Sequence, residues 1–134
     1  MPRYQKPRVA RAACIALVIL ASLLSDAMAT DYTPLIGRWQ RTDGGYVLQI
    51  GRVAPSGSLE AGYFNPRPIN VSYAEASLFK GRIKVDVELR DKGYPGSAYT
   101  LIYDPERDTL FGIYHHATSG QNFEVVFVRV RPTN

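Results

Sequence analysis

Two adjacent histidines, His115-His116, a turn with carboxylates at alternate positions, Asp104-x-Glu106-x-Asp108, and nine tyrosines are the residues from which this chain could build chemistry. Neighbours in an extended strand point to opposite faces, so the two histidines cannot share one ion from a regular strand. Joining one of them to Glu124 across two strands would still fall short of the three or four convergent ligands a metal centre needs. The acidic turn has the opening spacing of a calcium loop. It carries Thr109 where that loop needs glycine and His115 where it needs a bidentate glutamate, and Pro105 suits an ordinary turn. No metal and no cofactor is expected. Ser72 and Ser97 have no neighbouring base, and no carboxylate pair stands out, so the chain reads as a non-enzyme. Asn70-Val71-Ser72 matches a glycosylation acceptor only formally, since it falls inside a strand.

The tyrosines are the more promising group. Tyr46, Tyr63, Tyr73, Tyr99, Tyr103 and Tyr114 fall within strands, and a barrel lined by several of them would offer apolar ring faces with hydroxyl tips, suited to a small ligand. Tyr63, Tyr99, Tyr103 and Tyr114 are the expected lining residues. The competing reading is that tyrosine has high strand propensity and bridges core to solvent without further purpose. Arg67, between two prolines, and Tyr94, in a Tyr-Pro-Gly corner, are the distinctive loop residues and the expected contacts for a protein partner. Turn chemistry alone would also explain that corner.

The elements that would position these residues are short alternating segments broken by turn residues, with no stretch of helical period to compete. Eight strands are expected: Ile36 to Thr42, Tyr46 to Ala54, Leu59 to Asn65, Ile69 to Phe79, one centred on Ile83 to Arg90, Ser97 to Tyr103, Thr109 to Ala117, and Phe123 to Val130. Asp43-Gly44-Gly45 is a strong hairpin signal, and Asp91 to Gly96 is expected to be the longest turn. The fifth strand is the clearest, because Ile83, Val85, Val87 and Leu89 alternate with Lys84, Asp86, Glu88 and Arg90. Consecutive strands with short connections predict an all-β, eight-stranded antiparallel up-and-down barrel, since closure removes the two exposed edges of an open sheet. A two-sheet β-sandwich is the alternative.

Residues 1 to 29 read as a secretory signal peptide. Four basic residues, Arg3, Lys6, Arg8 and Arg11, precede an uncharged run from Ala12 to Leu24, and Ala27-Met28-Ala29 supplies the cleavage site. The run is too short to span a bilayer, which takes about 20 residues, so no stable membrane span is expected after cleavage. Residues 30 to 134 would form a single domain. The leader takes four of the sixteen basic residues and one of the twelve acids, leaving twelve and eleven. With no basic stripe, nucleic acid is not an expected partner. Cys14 is the single cysteine and lies in the leader, so the mature chain would have neither disulfide nor thiolate site.

Gly37-x-Trp39 at the start of the first strand, with Arg129 or Arg131 near the end of the last, resembles the signature of the calycin superfamily, which includes lipocalins and avidins. The resemblance implies that Trp39 packs at one barrel end against Arg129, and a guanidinium can indeed stack on an indole. Gly57-Ser58-Leu59-Glu60-Ala61-Gly62-Tyr63 looks like the third strand of avidins, which would make Tyr63 a lining residue. Arg41 and Gly45 stand where avidins carry polar biotin ligands, and Trp39 is the only tryptophan, so biotin binding is not expected. Further segments, including Gly62 to Val71, Glu88 to Asp91, Gly93 to Ser97 and Phe123 to Arg129, look like a group of small exported bacterial proteins usually left uncharacterised. That resemblance implies a periplasmic or secreted location and no activity.

Together these readings give an exported, non-catalytic barrel that binds a small ligand in a tyrosine-lined interior. The alternative is a periplasmic protein-interaction module such as an inhibitor or assembly factor. A carrier should be hollow with inward tyrosines, whereas an interaction module should be filled and present an exposed patch with Arg67 or Tyr94.

Overall fold

The computed structural model describes residues 2–3 and 29–134; the apolar run of the expected leader, with Cys14, lies outside the described residues. A 3-10 turn, Thr33–Leu35, leads into β1 (Gly37–Arg41), β2 (Val47–Val53), β3 (Leu59–Phe64), β4 (Pro68–Ile69), β5 (Val71–Phe79), β6 (Arg82–Asp91), β7 (Tyr94–Asp104), β8 (Thr109–His116) and β9 (Gln121–Arg129). All strand pairs are antiparallel, in the order β4-β3-β2-β1-β9-β8-β7-β6-β5. First and last strands meet because Trp39 pairs with Arg129 and Arg41 with Phe127. The result is an all-β, nearly closed up-and-down barrel.

Among the described residues nine strands replace the expected eight, because the segment Ile69 to Phe79 breaks at Asn70. Ile69 still pairs with Tyr63 on β3. Asn70 turns instead toward the end of β6, where its amide N–H donates to the Asp91 carboxylate and its side chain donates to the Arg90 carbonyl. From Val71 onward the chain pairs with β6. The expected long turn from Asp91 to Gly96 is also corrected. Tyr94 pairs with Asp91 and Pro95 with Arg90, leaving Lys92-Gly93 as the turn, with Gly93 at a positive φ of 84°.

The seam between β3 and β5 is joined at one bridge, Ser58 to Glu75, reinforced by the Ala76 amide donating to the Gly57 carbonyl at 2.7 Å. Gly57 is required there. Its φ is +94°, and a Cβ would lie 2.1 Å from the Ala76 carbonyl oxygen.

Period-two alternation sends Trp39, Leu48, Ile50, Val85, Val87, Leu89, Leu101, Leu110 and Phe127 into the barrel, where they are fully buried or nearly so. Leu35, from the 3-10 turn, joins them, and the Trp39 indole N–H donates to its carbonyl at 2.9 Å. Side chains therefore fill the axis, the outcome an eight-stranded barrel permits as readily as a hollow one.

Candidate functional site

Antiparallel order sorts the connections into two ends. The β1–β2, β6–β7 and β8–β9 turns crowd one end, and the β7–β8 hairpin and the N-terminal 3-10 turn lie at the other.

The second end is latched. Arg129 lies over the Trp39 ring at 4.2 Å and donates to both Asp108 oxygens, at 2.7 and 3.0 Å. It also donates to the carbonyls of Ile36 and Pro34. Gly37 has a φ of +147°, which side-chain-bearing residues rarely adopt, and it leaves room for the Arg129 guanidinium, whose Nη1 would lie 2.5 Å from a Cβ there. Tyr103 belongs here, with its ring edge-on to Trp39 at 6.1 Å and its hydroxyl donating to Asp108. It is thus separated from the other three expected lining tyrosines.

At the first end the strands open into a recess of about 690 Å3 walled by Arg41, Asp43, Tyr46, Tyr94, Tyr114, His116, Ser119, Gln121 and Phe123. Below it stand Tyr63 and Tyr99, each 1% exposed. Their hydroxyls meet at 2.7 Å, and Arg41 Nη1 donates to the Tyr99 hydroxyl at 2.9 Å. Inward they are, but they spend their polar tips on each other and on Arg41 rather than on a void. Among the described residues no buried side-chain nitrogen or oxygen lacks a partner. Tyr63 and Tyr99 thus form a hydrogen-bonded tyrosine floor beneath an open mouth.

Arg41 is the centre of this arrangement. It follows Trp39 by two residues on β1 and so points inward with it. The side chain is only 8% exposed. Nε and Nη2 donate to the two oxygens of Asp43 at 2.8 and 2.6 Å. The Tyr46 ring covers the guanidinium at 4.1 Å, and Tyr114 lies 5.5 Å away. Burial alone would lower the Arg41 pKa, yet the bonds to Asp43 and Tyr99 outweigh it and hold it raised. The same contact holds the Asp43 carboxyl below its usual value. Burial raises Tyr63 and Tyr114, and lifts Tyr99 to about 12. The floor is thus a fixed cation with neutral phenols around it.

Tyr114 stacks on Tyr99 at 4.6 Å and on Phe123 at 6.4 Å. Tyr94, expected as an exposed partner contact, turns into the mouth instead. Its ring meets Tyr63 edge-on at 6.4 Å, and its hydroxyl accepts from the Asn65 amide at 2.9 Å. Arg67 is exposed on the β3–β4 turn. The histidines diverge as alternation requires. His115 faces out against Asn122 at 2.7 Å, while His116 enters the mouth against Ser119 at 2.8 Å. Among the described residues no group of three or more His, Cys, Asp or Glu side chains is placed to hold a metal.

Sequence reasoning singled out Arg41 only as a departure from the avidin pattern, and it passed over Asp43, Phe123 and the mouth position of His116. The inward parity of Arg41 with Trp39 was the available signal. Comparison with known proteins finds no matching family model, no similar curated protein and no similar solved structure. The geometry of the mouth therefore carries the functional reading by itself.

Proposed function

We propose that the protein is an exported, non-catalytic barrel that binds a small ligand at its mouth. The observation behind this reading is the buried Arg41 guanidinium at the base of an aromatic recess of about 690 Å3. Most small-molecule sites are concave, largely apolar and furnished with a few convergent polar groups. Tyr46, Tyr94, Tyr114 and Phe123 supply the ring surfaces, while Arg41, His116 and Gln121 supply the polar groups. Export rests on the leader motif, and the calycin-like resemblance rests on Trp39 and Arg129.

Native mass spectrometry of the protein isolated gently from its own compartment tests the reading. A reproducible added mass, lost on denaturation and absent from a Tyr114→Ala variant that still folds, is expected. A bare chain, or an added mass indifferent to Tyr114, would count against it.

A second reading draws on the outer wall. Phe111, Ile113, Val126, Val128 and Val130 are all exposed. Phe111 pairs with Val126 across β8 and β9, so the apolar side chains form one patch rather than scattered points. Contiguous exposed apolar surface of this kind often marks protein contact, which favours an interaction module.

A further inference from the structure

Within the reading of the mouth as a ligand site, we infer that the ligand is a small planar carboxylate, aromatic in its simplest form, and that it binds by displacing Asp43 from Arg41. The two residues are unequally buried, Arg41 at 8% exposure and Asp43 at 53%. The carboxylate is therefore the group that stands between the guanidinium and solvent, in the position an incoming carboxylate would take. Its two oxygens receive parallel bonds from Nε and Nη2, the forked geometry that arginine offers to planar oxyanions.

Asp43 stands at the tip of the β1–β2 hairpin, before Gly44-Gly45, and is 53% exposed, so its side chain can turn out into water. Arg41 itself has no such freedom. Tyr99 accepts from Nη1, and the Tyr46 ring covers one face. The cation is therefore preorganised and its partner is replaceable.

The walls set the rest of the ligand. A ring attached to the carboxylate would lie among Tyr46, Tyr114 and Phe123, whose faces favour stacking. An uncharged ligand would gain the same stacking but could not replace Asp43, because it would leave the buried guanidinium without a carboxylate. Asp43 thereby acts as an internal competitor that rejects neutral aromatics and lowers the affinity for acidic ones.

The test titrates benzoate and benzamide into the isotope-labelled protein and into Asp43→Asn, following the amides of Arg41, Tyr46, Tyr114 and Phe123. Benzoate should perturb these amides, and Asp43→Asn should bind it about tenfold more tightly, a difference of one decade in Kd. Benzamide should show no such gain. Asp43→Ser serves the same purpose if the asparagine variant folds poorly. Equal binding of both probes at the mouth with no gain in either variant would overturn the carboxylate inference and leave the mouth as a site. Failure of both probes to perturb the mouth in all proteins would overturn the inference and the mouth reading together.

Discussion

The Tyr99 hydroxyl meets both Arg41 and Tyr63, so removing it strips two buried groups of a partner at once. Tyr99→Phe is expected to cost about 1–3 kcal/mol, the price of an unsatisfied buried polar group, read from denaturant unfolding. Tyr73→Phe, on an exposed side chain, should stay within about 0.5 kcal/mol. The pH dependence has two limbs. Asp43 and Asp108 titrate below their usual value because Arg41 and Arg129 donate to them. Their contribution is complete above about pH 4, the unfolded value, and is lost as the pH falls through the depressed folded values. Tyr99 behaves oppositely, since burial raises it to about 12. Its contribution is complete below about pH 10 and is lost as the pH rises through the folded value. Unfolding midpoints against pH, followed with tyrosinate absorbance on the alkaline side, should show both limbs.

At the scale of elements, the seam between β3 and β5 is the least supported part of the wall, because one bridge and one adjacent backbone bond join it. Gly57→Ala should destabilise the barrel by more than about 1 kcal/mol, since it adds a Cβ where φ is positive and where the Ala76 carbonyl already lies. Hydrogen exchange should rise first at the Ala76 amide. The same seam shows which elements can be read from local pattern. β6 is legible because its alternation is unbroken, and hairpins such as β1–β2 are legible because Gly44-Gly45 announce them. The β4–β5 break is not legible, because it depends on Asn70 reaching Asp91 and Arg90 on another strand. The short β6–β7 turn was hidden by Pro95-Gly96, a turn signal that the pairing with Arg90 overrides. Parity alone does not settle which tyrosines face inward, because a bulge such as those at Ile50/Arg52 and Glu88/Arg90 reverses every later position on its strand. Nor could it say whether Leu101, Leu110 and Phe127 would fill the space between them, since that is a matter of volume.

At the scale of the whole molecule the two barrel ends have different duties. At one end Trp39, Arg129 and Asp108 are tied together, and the other opens over Arg41. Substitutions at the two ends should therefore separate. Trp39→Ala is expected to cost about 3–5 kcal/mol, as large buried aromatics do, whereas Phe123→Ala, on a side chain 45% exposed at the rim, should cost less and weaken ligand binding more. On the outer wall, Phe111→Lys should leave the unfolding midpoint nearly unchanged while reducing any concentration-dependent association seen by light scattering. The most direct measurement on the account as a whole is a crystal structure of the protein as isolated. Non-protein density over Arg41, between Tyr46 and Phe123, above a core with no density among Trp39, Leu101 and Phe127, is the expected result. A ligand within the core, or an empty mouth with a protein chain seated on β8 and β9, would contradict it.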